Sequence, residues 1–404
     1  MNNLKTDTTM NKGGDGNKGF DTLKVFEAFA GYGSQSIALR NLGVPYEVVA
    51  ISEIDKYAIK AYEAIHGSTL NLGDITKIKV EDIPEHDLFT YSFPCQDLSV
   101  AGKQAGLSKG TRSGLLYECE KIIEHCKPKY LLLENVKNLV GKKFKPQFDE
   151  WLDYLESLGY TNYWKVLNAK DYGVPQNRER VFVISILGDH KPYKFADKIP
   201  LDKCIADILE DEVESKYYMN KPFHLVNKGH QAELDMKGHD IIKRVYATDR
   251  IAPTLTTMGG GNTEPKILIP QVTKGDYIVE KPEIIVDDNI PPYVRKNFER
   301  EKYDIANSSK AIYQCECESG WQDNKVGIKY TPTLRASNSN TFIYHNFRIR
   351  KLTPRECFRL MGMKDSDIDK IQQAGISNTQ QYKMAGNSIV VDVLEAIFKE
   401  LFLD

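Results

Sequence analysis

The chain has 404 residues, 41% of them hydrophobic and 27% charged, with a formal net charge of −2. Its length allows two or three domains and a sizeable core, and its near-neutral charge advertises no nucleic-acid partner, because phosphate affinity follows local cation clusters rather than the total. No run of about 18 apolar residues and no apolar N-terminal core occur, so neither a membrane span nor export is expected. Seven cysteines, an odd number without a CxxC pair, argue against a disulfide framework or a zinc finger and fit a reducing cytosol.

Residues 1–20 are polar, rich in Gly, Asn and Lys and without periodicity, and read as a disordered tail. From Leu23 to Phe29 a strand is expected, then Ala30-Gly31-Tyr32-Gly33, then a helix from Ser34 (N-cap) to Leu42 with Gly43 as its stop. A strand, a glycine turn and a helix open a nucleotide-binding α/β unit, although the spacing is not GxGxxG. The plan repeats. Tyr46–Ile51 is a strand, Glu53 lies just past its end, and Asp55–His66 is a helix closed by Gly67. An acid some 20 residues after a glycine turn takes the hydroxyls of a ribose; the alternative is a solvated acid at a helix start. Asp74, after Gly73, is placed at the next strand end as a partner for an adenine amino group.

Asp87–Phe93 is a short buried strand that stops at Pro94 and delivers Cys95 to its end. Leu98 to Gly114 follows as a loop with glycines at 102, 106, 110 and 114 and cations at Lys103, Lys109 and Arg112. A thiol at a strand end beside a cationic loop suits a nucleophile for a polyanion; a buried structural cysteine is the other reading. Leu115–Cys126 is a helix, Lys129–Leu133 a buried strand ending at Glu134-Asn135-Val136, and Pro146–Leu158 an amphipathic helix stopped by Gly159. Tyr163–Leu167 and Val181–Leu187 are further strands, with Arg178 and Arg180 between them. This alternation indicates a mostly parallel sheet covered on both faces.

After about residue 190 the pattern gives way to short strand-like pieces with many Pro, Gly, Asn and Lys. The echo Ala252-Pro253-Thr254-Leu255 and Thr331-Pro332-Thr333-Leu334 lies in this stretch. Regularity returns with a capped helix at Thr353–Gly362 carrying Pro at its first position. Gly386-Asn387-Ser388 and a helix from Ile389 to Leu401 close the chain.

Cys95, Glu134 and the Arg178/Arg180 pair each follow a candidate parallel strand, so the fold collects them at one edge. A thiol near arginines ionises more readily, and a carboxyl in a closed pocket keeps its proton through desolvation. Together they suit attack on a polarised ring. Phe-x-Gly-x-Gly at 29–33, Pro-Cys-Gln at 94–96, Glu-Asn-Val at 134–136, Gln-x-Arg-x-Arg at 176–180, Leu-Thr-Pro-Arg-Glu-Cys at 352–357 and Gly-Asn-Ser at 386–388 stand in that order. With these motifs the chain, from about Leu23 to its C-terminus, resembles the DNA (cytosine-5-)-methyltransferases, with the middle region matched only loosely.

The resemblance implies a Rossmann-like, S-adenosylmethionine-dependent methyltransferase fold with a second, smaller, strand- and loop-rich target-recognition domain. The expected limits are 21–189 for the catalytic domain, 190–348 for target recognition, and 349–404 for a C-terminal segment whose last helix returns to the catalytic domain. It implies a cofactor site of Phe29, Ala30, Gly31, Tyr32, Gly33, Glu53, Ile54, Asp74, Pro94, Asn387 and Ser388. Cys95 is implied as the nucleophile adding to cytosine carbon 6, Glu134 as the group holding ring nitrogen 3 and the amine, Arg180 as the carbonyl contact, and Arg178 as the loop-ordering residue. The cytosine is flipped out of double-stranded DNA, and the 98–114 loop is expected to close over it. Gln96, Lys103, Lys109, Arg112, Arg250, Thr254, Leu255, Thr333, Leu334 and Arg335 are the expected DNA contacts, with either Thr-Leu pair a candidate for the family's recognition element. No metal is expected.

The setting implied is a monomer in the cytoplasm of a bacterial or phage-infected cell. A companion restriction endonuclease would act on the same site without forming a complex. A transfer-RNA cytosine methyltransferase and a non-catalytic DNA-binding protein of the same fold are the rivals. The first lacks a large recognition domain, and the second would not need every catalytic position filled. An amino-group methyltransferase would carry Asp/Asn-Pro-Pro-Tyr/Phe at the equivalent strand end, and this chain does not.

Overall fold

A computed structural model describes residues 22–94, 113–226, 230–270, 334–335, 342–343 and 347–403. The chain groups into two compact units, residues 1–174, 178–201 and 361–404 in the first and 175–177 with 202–360 in the second. The divisions fall at 201/202 and 360/361, where the sequence suggested 189/190 and 348/349. The expected N-terminal tail lies outside the described residues.

The first unit is built on strands β1 (Leu23–Ala28), β2 (Tyr46–Ser52), β3 (Leu88–Tyr91), β4 (Tyr130–Val136), β5 (Tyr160–Asn168) and β6 (Glu179–Leu187), alternating with helices α1 (Ser34–Leu42), α2 (Lys56–His66), α3 (Leu116–Cys126) and α4 (Lys145–Ser157). The strands lie in the order β2-β1-β3-β4-β6-β5. β2, β1, β3 and β4 are parallel, and β1, β3 and β4 are buried along most of their length, as inner strands covered on both faces are. β6 is antiparallel to both β4 and β5. This corrects the expectation that the arginine pair follows parallel strands. Because β6 runs the other way, it is its beginning, where Arg180 pairs with Val136, that sits beside the C-terminal end of β4.

The core on one face joins β1, β3, β4 and β6 to α3 and α4 through Phe26, Phe89, Leu131, Val183, Ile123 and Phe148. Phe26 stacks on Phe89 at 5.1 Å and Phe89 on Tyr91 at 5.2 Å. Each such buried side chain contributes about 1.5–3 kcal/mol. Asp74 does not follow a strand of the sheet, as the sequence suggested. It caps a 3-10 turn at Ile75–Lys77, and the segment before it meets β2 through a bridge between Ile51 and Asn71 and through Ser52 Oγ, which donates to the Gly73 carbonyl at 2.7 Å.

The second unit carries a six-stranded sheet of short strands, β7 (Tyr218–Met219), β8 (Phe223–Leu225), β9 (Ala232–Leu234), β10 (Arg244–Ala247), β11 (Lys266–Pro270) and a late strand at Phe347–Lys351, with a one-turn helix α5 (Asp240–Lys243) before β10. A two-stranded ribbon, β12 (Leu334–Arg335) and β13 (Phe342–Ile343), precedes that late strand, β14. The order is β7-β14-β11-β10-β9-β8. Helix α6 (Pro354–Arg359) follows, with the expected capping box of Thr353 and Glu356 and Pro at its start. Glu356 is fully buried and forms a paired hydrogen bond with Arg350, both contacts 2.7 Å, which ties α6 to β14.

The chain then returns to the first unit as α7 (Asp365–Gln373), α8 (Asn378–Asn387) and α9 (Val391–Phe402). α7 packs on α2 and α9 on α1. α8 was not expected, and Asn387 is its last residue rather than part of a loop. No described helix is long and apolar enough to cross a membrane.

Candidate active site

At the end of β1 the chain turns sharply. Phe29, Gly31 and Gly33 all have positive φ, at 56°, 59° and 81°. For Phe29 this is a strained conformation of the kind that collects at ligand sites. Gly33 is required twice over, because a Cβ there would lie 2.5 Å from His66 Nε2 and 2.7 Å from the Tyr62 ring. Gly33 also takes the cap position of α1, so Ser34 is the first helical residue and not the expected cap. Past β2, the Glu53 carboxylate accepts from the Gly31 amide at 2.9 Å and from the Ile54 and Asp55 amides at 2.9 and 2.8 Å. Its backbone is held by Asn71, which accepts from Glu53 N and donates to Glu53 O. The acid therefore faces the glycine turn in a fixed orientation. Ile54 beside it is 73% exposed, an apolar side chain left at a rim.

Across the sheet edge, Glu134 in β4 is buried and its carboxylate lies 3.1 Å from Arg180 Nε. Burial pushes the Glu134 carboxyl up, and the Arg180 and Arg178 charges offset this only in part. Asn135 donates to the Phe93 carbonyl at 3.0 Å, so the end of β4 grips the chain directly before Pro94. Arg178 also reaches the C-terminal segment. Its guanidinium donates to the carbonyls of Gly386 and Ser388 at 2.9 and 2.8 Å. Ser388 Oγ accepts from the Tyr32 hydroxyl at 2.8 Å, which closes the C-terminal segment onto the glycine turn.

These groups share one cavity of about 410 Å³, lined among others by Phe29, Glu53, Pro94, Glu134, Arg180 and Asn387. Its size suits a ligand of cofactor dimensions. The family model of the C-5 cytosine-specific DNA methylases matches residues 23–403. The chain belongs to that family. It is 37% identical to the type II methyltransferase M2.ScrFI of Lactococcus lactis subsp. cremoris, over 94% of this chain and 99% of that protein. It is 36% identical to the orphan methyltransferase M.SPBetaI of Bacillus phage SPbeta, over 94% and 97%. The fold is shared with solved structures of the Entamoeba histolytica methyltransferase EhMeth, at TM-score 0.61 and 17% identity over 95% and 98% of the two chains, and of S. pombe Dnmt2, at 0.59 and 18% over 93% and 97%.

As a C5-cytosine methylase the protein needs a methyl donor, and the cavity can be compared residue by residue with the sequence expectation. Phe29, Ala30, Gly31, Tyr32, Glu53, Ile54, Asp74, Pro94, Asn387 and Ser388 line it, as do Glu134, Arg178 and Arg180. Gly33 does not; it is the residue that caps α1. Cys95, Gln96, Lys103, Lys109, Arg112 and Thr333 lie outside the described residues. Arg250 belongs to the second unit, mostly exposed, where its carbonyl accepts from Ile205 N at 2.8 Å. Leu334 and Arg335 pair with Ile343 and Phe342 in the small ribbon. Thr254 and Leu255 pack on Pro175–Asn177 within the second unit.

Sequence reasoning missed the pair Asp55–Lys383. Lys383 Nζ donates to Asp55 Oδ2 at 2.6 Å, and both line the cavity. Asp55 was read as the first residue of the helix that it caps, but nothing in the pattern around Lys383 announced its partner. The grip of Asn135 was missed as well, although its motif was in plain view.

Proposed function

We propose that the protein methylates carbon 5 of a flipped-out cytosine in double-stranded DNA at a specific sequence, with Cys95 as nucleophile and S-adenosylmethionine as donor. The observation carrying this reading is that one cavity is lined both by the glycine turn with Glu53 and by Glu134 with Arg180, while Pro94, the residue before Cys95 in sequence, lines it too.

The residues present suit the donor. Glu53 offers carboxylate oxygens to a ribose diol, Ile54 an apolar face to adenine and Asp74 an acceptor to its amino group. The Phe29 ring suits a sulfonium cation, and the turn from Ala30 to Tyr32 with Asn387 and Ser388 would take the amino-acid end. When bound, S-adenosylmethionine supplies an electrophilic methyl group.

The chain's own groups do the rest. The Cys95 thiolate adds to carbon 6 of the cytosine, and the displaced electron pair makes carbon 5 nucleophilic. Glu134, whose carboxyl burial pushes up, donates its proton toward ring nitrogen 3 and holds the exocyclic amine. Arg180 pairs with the carbonyl oxygen, and its contact with Glu134 fixes the spacing of the two groups. Arg178 acts from behind by holding Gly386 and Ser388. After methylation, a base takes the proton from carbon 5 and the thiolate leaves carbon 6.

In this reading the first unit is the catalytic domain, the second, residues 175–177 and 202–360, the recognition domain, and 361–404 the segment that returns to the first. The 98–114 loop is the lid. The protein works as a monomer in a bacterial or phage-infected cytoplasm. A relative named as a type II methyltransferase supports a restriction–modification setting, with a companion endonuclease acting on the same site but not in complex.

Bisulfite sequencing of DNA from cells expressing the chain tests the reading directly. Unconverted cytosines in one sequence context are expected, and they should vanish with Cys95→Ser while DNA binding persists. Fully converted DNA from the unaltered protein would refute it.

A further inference from the structure

The first residue of Gln-x-Arg-x-Arg has no part in the chemistry above, yet Gln176 is fully buried in the second unit. Its side chain joins segments that are distant in sequence. Nε2 donates to the Leu360 carbonyl at 2.7 Å, at the end of α6, and Oε1 accepts from the Leu255 amide at 3.1 Å. A backbone amide must meet the oxygen and a backbone carbonyl must meet the nitrogen, so the two partners dictate the orientation of the side-chain amide. Only a side chain offering one donor and one acceptor at that separation satisfies both.

The backbone around Gln176 follows the same partner. Ala252 N donates to Pro175 O at 2.7 Å, Asn177 N to Ala252 O at 2.8 Å, and Thr254 Oγ1 to Asn177 O at 2.5 Å. Beyond this contact Leu255 and Met258 are buried, whereas Thr254, Thr256 and Thr257 are exposed. The chain then enters a loop in which Met258 and Asn262, at φ 46° and 63°, flank three exposed glycines. An exposed row of hydroxyls leading into a strained loop is thus anchored at one buried amide.

We propose that Gln176 is a positioning residue for target recognition. It clamps Leu255 to Leu360 and so sets the exposed edge of Thr254, Thr256 and Thr257 that meets DNA. The role rests on the reading that this unit recognises DNA.

The test uses the full chain and Gln176→Met, which keeps the volume and removes both hydrogen bonds. Bisulfite sequencing of plasmid DNA treated with the unaltered protein and S-adenosylmethionine first defines the methylated context, and a duplex carrying it then serves for kinetics. Absence of any methylated context overturns the underlying reading, and the Gln176 role with it, before the variant is compared. With that context in hand, Gln176→Met is expected to raise KM for the duplex about tenfold and to spread methylation to sites with one altered base. The kcat at saturating duplex and the affinity for S-adenosylmethionine should stay within about twofold. Unchanged KM and site preference in the folded variant would overturn the role. So would a joint fall of kcat, cofactor affinity and melting temperature, the mark of a purely structural residue. If the Met variant does not fold, Gln176→Glu, which keeps the acceptor for Leu255 and withdraws the donor from Leu360, is judged by the same criteria.

Discussion

Glu27, in β1 just before the glycine turn, is fully buried and sits among α1, α2 and β2. Ser36 Oγ donates to its Oε1 at 2.8 Å, and Tyr62 and Tyr46 are held neutral by burial and then by the Glu27 charge. Burial pushes the Glu27 carboxyl up from 4.5 to about 7, with Ser36 offsetting only part of the cost. In the unfolded chain the same carboxyl ionises near 4.5, so between these two values the unfolded state holds fewer protons. Stability therefore falls as pH rises through that window, by about 3 kcal/mol in total. His66, under the same turn, works in the opposite sense. Burial lowers it from 6.5 to about 4, so its contribution rises with pH over nearly the same range and masks the loss from Glu27 in the unaltered protein. The informative quantity is therefore a difference. Glu27→Gln keeps the shape and the acceptor for Ser36 but cannot ionise. Its stability relative to the unaltered protein should climb by about 3 kcal/mol between pH 4.5 and about 7 and then level off. Urea unfolding midpoints at a series of pH values would read this, with unchanged m-values as the check that the unfolded state is the same. A difference that stays constant across the window would mean that Glu27 is ionised or solvated in the folded protein, and the burial argument would be wrong.

Three further outcomes are expected at the cavity. Burial pushes the Glu134 carboxyl up, and the proposed role needs its proton, so kcat should fall as pH rises through that raised pKa; Glu134→Gln should lose this alkaline limb and run about 10²-fold slower, as pH–rate profiles would show. Asn135→Ala frees the Phe93 carbonyl, so kcat should drop about tenfold while cofactor affinity, measured by calorimetry, holds; an equal loss of both would contradict a role confined to the Pro94 end. Lys383→Met breaks a partly exposed ion pair at the cavity, so S-adenosylmethionine binding should weaken no more than about fivefold, and less in high salt. A loss that high salt leaves intact would instead assign Lys383 a packing role.

What was readable in the chain, and what was not, has a common cause. The elements from β1 to α4 were legible because apolar runs and helical periodicity are local, and because Gly43 and Gly67 stop helices through their own backbone geometry. The direction of β6 is not local, since a strand buried on both faces reads the same in either sense. A clue did exist: only ten residues separate Asn168 from Glu179, and a parallel crossover takes a dozen or more. Helix α8 was hidden because its polar sequence ends in Gly386 and Asn387, residues of poor helix propensity that read as a loop. The second unit resisted for a related reason. Its strands are two to five residues long, too short for an alternation to declare itself. The site followed the same division. Glu53, Glu134 and Arg180 were named from strand ends, whereas the hold of Arg178 on Gly386 and Ser388 spans more than 200 positions. The reversal of β6 joins these two lessons. It brings the start of a strand, with Arg180 on it, to the edge where β4 ends, and so a misread strand direction still led to the right neighbours.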